Sequence, residues 1–190
     1  MPRYDVPKAA PQPLRIVQRF LNTVDLEHGR DWLPTAEALV DWLGEAGLSV
    51  EGPLGDADLR RAIDLREALR SLTAVNGGHR RHDGAAIATV NHSARAGGLT
   101  IGLGPQGTVC LECTAPGFDG ALCRLLAIVF TSMMDGSWQR LKSCPQCRWA
   151  FYDYSKNRSA SWCSMKLCGN RAKTRAFRAR RHDRRTSEAG

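Results

Sequence analysis

The apolar residues of the first hundred positions recur every three or four residues, which is the period of an amphipathic helix. The first such stretch holds Leu14, Val17 and Leu21. Residues that favour helix ends, among them Thr35, Asp83 and pairs of glycines, divide the remaining positions into segments. We therefore predict four helices, which are a first over 14–24, a second over 35–43, a third from an N-cap at Asp56 to Gly77, and a fourth over 83–96.

The pattern changes after Gly98 to an alternation of apolar and polar residues. Leu99–Leu103 and Val109–Cys113 alternate in this way, and glycine and proline residues lie between them. This arrangement predicts an antiparallel hairpin. Residues 118–134 return to a helical pattern that is apolar on most sides, so we expect this helix in the core. The fold class predicted for this region is α+β, mostly helical with an antiparallel hairpin.

The two ends of the chain differ in charge. Residues 1–138 hold 13 Lys and Arg against 16 Asp and Glu, a net charge of −3, whereas residues 139–190 hold 14 against 3, a net charge of +11. Such a basic end points to a polyanionic partner, most often nucleic acid and less often an anionic membrane. We predict a flexible tail over 1–13, a domain over 14–137 that folds by itself and senses a ligand or dimerises, and a basic module over 138–190.

No segment carries the roughly 18 consecutive apolar residues of a membrane span, and the first 13 residues lack the apolar core of a secretory signal. We therefore expect a cytoplasmic protein without a membrane partner. In a reducing compartment the seven cysteines are expected as metal ligands or buried thiols rather than disulfides. Cys110, Cys113 and Cys123 have no second pair nearby, so we expect ordinary thiols there.

Four further cysteines form two close pairs. Cys144 and Cys147 have C-x2-C spacing, and Cys163 and Cys168 have C-x4-C spacing. Four thiolates satisfy tetrahedral zinc with no open position, which is typical of a structural site. A module of about 50 residues buries too little apolar area to fold alone, so one zinc ion is expected to stabilise it. The alternatives are four buried thiols with chance spacing, or a redox-active dithiol.

The residues around the second cysteine pair resemble a known family. Cys168-Gly169-Asn170-Arg171 is similar to the motif that names the CGNR zinc finger. The loop from Cys144 to Cys147, which we call the zinc knuckle, and the aromatic residues that follow it also fit. Upstream, Phe20 to Val24 and the helix predicted over 35–43 resemble the ABATE domain, which is assigned to stress-induced transcription regulators. The resemblance implies a nucleic-acid-binding finger joined to a sensor domain, acting as a transcription regulator or an RNA binder.

The segment after the last cysteine is predicted to be a basic helix of a treble-clef-like or ribbon-like module. Gly169 would take a positive φ, Asn170 would cap the helix, and a stripe of alanines with Phe177 would face the zinc core. Arginine makes bidentate contacts to phosphate and to guanine edges, so the other faces are expected to bind nucleic acid. The predicted contacts are Lys156, Arg158, Lys166, Arg171, Lys173, Arg175, Arg178, Arg180 and Arg181.

Several alternatives stay open for this basic segment. It could be a solvated tail with no specific partner, and Arg171 could instead pair with a carboxylate of the N-terminal domain. DNA is favoured over RNA as the partner, because the module lacks paired aromatic residues that stack RNA bases on a sheet. A third alternative is a module that docks an acidic protein. A homodimer is expected from the way in which regulators pair half-sites.

No catalytic residue is predicted. The chain has no G-x-S-x-G, P-loop or dinucleotide fingerprint, and no histidine falls inside the cysteine cluster. The polar residues Asn22, Thr23 and Asp25 follow the first helix, where they are candidate contacts for a small effector. The alternative is that Asn22 and Thr23 end the helix and cap the next turn.

Overall fold

The computed structural model describes residues 8–187, with side chains to residue 180. Within that range, six α-helices alternate with short antiparallel strand pairs, so the predicted α+β class is confirmed. The helices are α1 Leu14–Leu21, α2 Ala36–Glu45, α3 Asp56–Asn76, α4 Gly84–Ala96, α5 Gly117–Met134 and α6 Asn170–Ser187. The paired strands are β1 Val24–Asp25 with β2 Arg30–Asp31, β3 Leu99–Leu103 with β4 Val109–Cys113, and β5 Leu141–Ser143 with β6 Ala150–Tyr152.

Capping residues set most of the helix ends where the sequence predicts them. The Thr35 hydroxyl accepts a hydrogen bond from the Ala38 N–H at 3.3 Å, and the Asp83 carboxylate accepts one from the Ala85 N–H at 3.0 Å. The prediction for α3 is wrong by one residue, because Gly55 is the N-cap and its N–H donates to the Asp58 carboxylate at 3.0 Å.

The first helix also ends earlier than predicted. It stops at Leu21, and Val24 belongs to the short strand β1 instead of the helix. The Thr23 hydroxyl donates to the Phe20 carbonyl at 2.8 Å, and the Thr23 carbonyl accepts from the Trp32 N–H at 2.8 Å. These bonds turn the chain out of the helix, an outcome that depends on the distant partner Trp32.

The core is built around α5, as its apolar composition predicts. Leu122, Leu125, Leu126 and Val129 are at most 1 % exposed. Helices α1 and α4 contact α5, and α3 contacts both of those helices. Among the described residues, α5 is also the one helix long and apolar enough to cross a membrane, but half of it is buried inside the protein, as in a core helix.

The core does not end at the boundary predicted near residue 137. Leu141 and Ala150 are fully buried in the same apolar cluster as the N-terminal helices, and Trp138 and Tyr152 are 4 % and 7 % exposed. Strand β5 lies against α3, and Leu141 faces Tyr152 across the β5–β6 pair. The hairpin therefore completes the N-terminal core, which argues against the predicted independent folding of 14–137.

Residues 8–13 differ from the flexible tail that we predicted. The Lys8 carbonyl accepts a hydrogen bond from the Tyr152 N–H at 2.9 Å, and the Ala9 carbonyl accepts one from the Tyr154 hydroxyl at 2.7 Å. Ala10 is 4 % exposed, and its N–H donates to the Gln18 side chain at 2.6 Å. This part of the segment is held by β6 and α1, and residues 1–7 lie outside the described range.

The prediction of ordinary thiols is wrong for two cysteines. Cys113 at the end of β4 and Cys123 in α5 form a disulfide, with their Cα atoms 5.8 Å apart. That separation lies within the usual range for a disulfide. The packing of α5 against the hairpin brings the two residues together, which spacing along the chain did not reveal. Cys110 keeps a free thiol.

Candidate metal centre and basic helix

Four sulfur atoms meet where the chain leaves β5 and enters α6. Each of Cys144, Cys147, Cys163 and Cys168 is at most 5 % exposed, and their sulfur atoms all lie within 4.8 Å of one another. The Cys147 and Cys163 sulfurs are 3.5 Å apart, and those of Cys163 and Cys168 are 3.6 Å apart. No disulfide joins any of these four cysteines.

These distances fit one tetrahedral zinc ion. Zinc–sulfur bonds of about 2.3 Å in a tetrahedron place the sulfurs about 3.8 Å apart, so the cluster needs little contraction or expansion. Without a cation, hydrogen bonds with Cys144 raise the pKa of Cys163 to about 12 and also raise the pKa of Cys147. Zinc binds thiolates, so its binding releases the protons that the buried cluster would otherwise retain.

Local backbone structure positions the first pair of ligands. The Arg148 N–H donates to the Cys144 carbonyl at 2.8 Å, and the Cys144 N–H donates to the Trp149 carbonyl at 3.0 Å. These bonds close the loop from Cys144 to Cys147, and Arg148 follows it with a φ of 60°. The knuckle thus continues the β5–β6 hairpin, which the N-terminal core holds in place.

A buried ion pair positions the loop that leads to the second pair. The Lys142 ammonium donates to the Asp153 carboxylate at 2.8 Å, and the two side chains are 6 % and 0 % exposed. Burial alone would raise the pKa of Asp153, but hydrogen bonds from Lys142 and Ser155 outweigh it and lower that pKa to about 2. The same carboxylate accepts from the Ala160 N–H at 3.0 Å, so it fixes both ends of the loop.

Aromatic side chains cover the metal centre. Phe151 and Trp149 are buried in the cysteine cluster, and Trp162 lies against it. Tyr152 belongs to the N-terminal core instead, and Tyr154 is 62 % exposed. Trp32, from the N-terminal half of the chain, completes the cover.

The helix after the last ligand begins differently from the prediction. One π-helical turn over Met165–Gly169 carries Cys168 into α6. Gly169 does not take the positive φ that we predicted, and Asn170 lies inside the helical run with its amide donating to the Lys166 carbonyl at 3.2 Å. The cap is Ser164, whose hydroxyl accepts from the Leu167 N–H at 3.4 Å.

The orientation of α6 also corrects the prediction. Ala176 and Ala179 are exposed and Phe177 is 54 % exposed, so this stripe does not face the zinc core. The reason is that Trp32 and Trp162 already cover the cysteine cluster, and α6 extends beyond it. A different face of α6, formed by Arg171, Arg175 and Arg178 at i, i+4 and i+7, borders the zinc knuckle. Between this face and the knuckle lies a groove of about 420 Å³. The groove is lined by Gln146, Lys166, Leu167, Asn170, Arg171, Thr174, Arg175 and Arg178.

Comparison with family models accounts for most of the chain. The ABATE model, described as "Putative stress-induced transcription regulator", matches residues 14–135. The CGNR zinc-finger model matches residues 140–181. The chain belongs to the ABATE family and carries a CGNR zinc finger. The resemblance stated from the sequence is therefore confirmed, and the four cysteines of this finger are the site of one structural zinc ion. Comparison with curated proteins finds no match.

Neither family is an enzyme family; both names are regulatory or structural. The ABATE match ends at residue 135 and the finger match begins at residue 140, so the family models divide the chain where the structure has one continuous core. The boundary between the two family matches therefore falls inside one apolar core.

The basic residues predicted to bind nucleic acid fall into three groups. Lys166, Arg171, Arg175 and Arg178 share the groove beside the zinc knuckle. Lys173 and Arg180 are exposed on another face of α6, and Lys156 and Arg158 are exposed in the loop before Cys163. The side chain of Arg181 lies outside the described residues. Within the described part of the chain, Arg171 alone among these residues makes a side-chain ion pair.

Arg171 pairs with the ABATE domain, which was one of the alternatives left open by the sequence. Its guanidinium contacts the Glu27 carboxylate, and this contact is the first cause that raises the pKa of Arg171. The Arg171 side chain is 51 % exposed and that of Glu27 is 18 % exposed. The arginine of the CGNR motif is thus engaged by a carboxylate of the N-terminal domain.

The three candidate effector contacts are occupied by the protein itself. The Asn22 amide donates to the Ala150 carbonyl at 2.9 Å, and its oxygen accepts from the Ala150 N–H at 2.8 Å. Thr23 accepts from the Arg66 guanidinium at 3.1 Å, and Asp25 contacts the His28 ring at 2.7 Å. Asn22 thus pairs with the finger, instead of capping the next turn, and effector binding by these residues stays a prediction.

Sequence reasoning missed the residues that join the two domains. Arg70 is 1 % exposed, and its guanidinium donates to the Arg148 carbonyl at 2.9 Å and also to the Leu21 carbonyl. Thr73 shares a hydrogen bond of 2.7 Å with Ser143. The available signal was the spacing of polar residues at i, i+4 and i+7 along α3, starting from Arg66, beside its apolar stripe. That spacing is also typical of a solvated face, so it could not decide between the two.

Proposed function

We propose that this protein is a cytoplasmic DNA-binding transcription regulator, and that its CGNR finger contacts nucleic acid through α6 and the groove beside the zinc knuckle. The observation that carries the proposal is the face formed by Arg171, Arg175 and Arg178. Arg175 and Arg178 are exposed and make no hydrogen bond or ion pair with the described residues. Uncompensated guanidinium groups on one helix face are suited to phosphate and base-edge contacts.

The attachment of the finger supports a regulatory role. The knuckle and its hairpin are fixed to the ABATE core by Asn22 and Arg70, so α6 is carried on a rigid base. An effector or a second protomer that alters the ABATE domain would change the position or stability of that base. We propose the ABATE domain as the sensing and dimerising part, and a homodimer would place two copies of α6 on successive half-sites.

The test is salt-dependent binding of the zinc-loaded protein to duplex DNA. Six phosphate contacts would give a slope of about −5 in a plot of log K against log salt concentration. Arg178→Ala and Arg175→Ala should each flatten that slope by about one unit and weaken binding to all sequences alike. The matched control is Arg60→Ala, which removes an exposed arginine of α3 and should leave the slope unchanged.

Two other partners are distinguished by the same measurement. Structured RNA that binds more tightly than duplex DNA at equal salt, with the same loss on Arg178→Ala, would favour the RNA-binding alternative. A flat salt dependence for both nucleic acids would contradict the proposal and favour an acidic protein partner. Equal losses for Arg178→Ala and Arg60→Ala would leave only nonspecific attraction by the net positive charge.

A further inference from the structure

A polar cavity lies between the ABATE helix α3 and the start of the zinc knuckle. Its volume is about 180 Å³, and its walls are Arg70, Ser71, Ala74, His79, Arg80, Ser143, Cys144, Pro145 and Arg148. Pockets for drug-sized ligands span about 300–1,000 Å³. This cavity is therefore suited to a small ion or to one group of a larger ligand.

The charge of the walls selects an anion. Three arginines line the cavity and no carboxylate does. The Arg70 charge is balanced by Glu67, whose carboxylate accepts from the Arg70 side chain at 3.0 Å. The side chains of Arg80 and Arg148 make no ion pair or hydrogen bond with any described residue, so both guanidinium groups are open to a ligand at this cavity.

A buried hydroxyl at the same place lacks a partner. Ser71 is 9 % exposed, and its oxygen has no hydrogen-bond partner among the described residues. Buried polar atoms are nearly always hydrogen-bonded, and an exception commonly marks a place that a water, an ion or a ligand completes. Ser71 lies on the walls of both this cavity and a neighbouring one of about 310 Å³.

The neighbouring cavity has a different chemistry. It shares Ser71, Arg80 and Arg148 with the first, but its remaining walls include three carboxylates, those of Asp64, Glu67 and Asp83. Carboxylates accept hydrogen bonds from hydroxyl groups, and they disfavour a second anion. The pair of cavities therefore suits a ligand with an anionic group at one end and hydroxyl groups at the other.

We propose that these cavities bind a small phosphomonoester, with its phosphate held by Arg80, Arg148 and the Ser71 hydroxyl and its hydroxyl-bearing part beside Asp64. Arg148 follows the second zinc ligand, and Arg70 binds the Arg148 carbonyl. The bound phosphate would thus contact α3 and the zinc knuckle at once. Because this site lies apart from the groove beside α6, it supplies the ABATE domain with an effector site next to the finger.

Calorimetric titration of the zinc-loaded full-length protein tests the proposal without nucleic acid. The probes are inorganic phosphate and glycerol phosphate, with sodium chloride at matched ionic strength as the reference. We expect saturable binding of both phosphates, tighter for glycerol phosphate, and none for chloride. Arg80→Ala should weaken binding about tenfold or more, because it removes a charge-assisted hydrogen bond. Arg81→Ala is the matched control, since Arg81 is exposed and does not line either cavity.

Ser71→Ala separates binding from folding. The substitution removes a buried hydroxyl that has no partner, so the thermal midpoint of the free protein should stay the same or rise. Phosphate affinity should nevertheless fall. Unchanged affinity in both Arg80→Ala and Ser71→Ala, or equal losses in Arg80→Ala and Arg81→Ala, would overturn the proposal.

A nucleic-acid phosphate is the competing source of the same chemistry. If free phosphates fail to bind while Arg80→Ala weakens duplex DNA binding as much as Arg178→Ala does, the cavity holds DNA backbone and the small-molecule proposal is wrong. If phosphates bind but DNA does not, the further site stands and the proposed DNA-binding function fails.

Discussion

The two ends of the CGNR finger have opposite environments. The β5–β6 hairpin lies inside the core of the ABATE domain, with Leu141 and Ala150 fully buried. Helix α6 is exposed from Lys173 to Arg180, and its arginines there have no ion-pair partner among the described residues. The zinc centre lies between them and joins one to the other. The difference teaches that one part of this small module packs into the core, while the proposed binding surface lies on another part.

The contrast has a physical basis. A finger of this size has little apolar area of its own, so a mobile finger would depend on zinc alone for stability. Placing the hairpin in a larger core adds apolar burial and the hydrogen bonds of Asn22 and Arg70. The exposed helix can then carry residues that suit ligand contact rather than packing, among them Arg175, Arg178 and Arg180.

The largest effect is expected from removal of the finger. A chain ending at residue 137 loses the buried side chains of Leu141 and Tyr152, each worth about 1.5–3 kcal/mol, from a domain whose total stability is about 5–15 kcal/mol. We expect the shortened chain to lose its cooperative thermal transition. Circular dichroism measures this, and a chain ending at residue 174, which keeps all four cysteines, is the control. A cooperative melt of the 137-residue chain would show that the ABATE domain folds alone.

Zinc removal should have a smaller and more local effect. Chelation or Cys168→Ser should unfold the segment from Asp153 to α6, because this segment then loses the zinc–sulfur bonds that tie its cysteines to the knuckle. The amides of Ala150 and Tyr152, which donate to Asn22 and Lys8, should remain protected for longer. Hydrogen exchange followed by mass spectrometry compares the two segments. Simultaneous loss of protection in both would mean that zinc stabilises the hairpin as much as the core does.

Arg70→Ala tests the junction itself. The substitution removes a buried charge and leaves two carbonyl oxygens, those of Arg148 and Leu21, without a donor. We expect the free energy of unfolding to fall by about 3–5 kcal/mol. Urea titration measures the change, and Arg60→Ala on the exposed face of the same helix should cost far less. Equal costs for the two variants would remove Arg70 as the residue that fixes the finger to the domain.

The smallest effect is expected at the Arg171 and Glu27 pair. Both side chains keep access to water, so Glu27→Gln should leave the thermal midpoint and the zinc content nearly unchanged. It should free Arg171 for phosphate, and the salt dependence of DNA binding should steepen by up to about one unit. A large loss of zinc or of stability in this variant would show that the ion pair between Arg171 and Glu27 stabilises the finger.

Sequence predictions succeeded for features set by neighbouring residues and failed for features set by distant ones. The starts of α2 and α4 were predicted from the capping residues Thr35 and Asp83, and the β3–β4 hairpin from the alternation on both sides of Gly104. These predictions succeeded because such signals act within a few residues. The C-x2-C and C-x4-C pairs gave the metal centre, because two short loops confine four sulfurs to one place. In contrast, residues 8–13 and the Cys113–Cys123 disulfide were predicted wrongly, since each depends on a partner brought close by the fold.

The sequence by itself therefore determined the helices, the hairpin, the zinc ligands and the separation of charge between the two ends of the chain. The tertiary structure alone decided that the finger hairpin completes the ABATE core, which face of α6 borders the knuckle, and that Arg70 and Arg148 meet at a second cavity. Periodicity and spacing record the local geometry of one segment. They do not record which buried surface faces which, because that choice depends on the apolar area and hydrogen bonds that distant segments complete together.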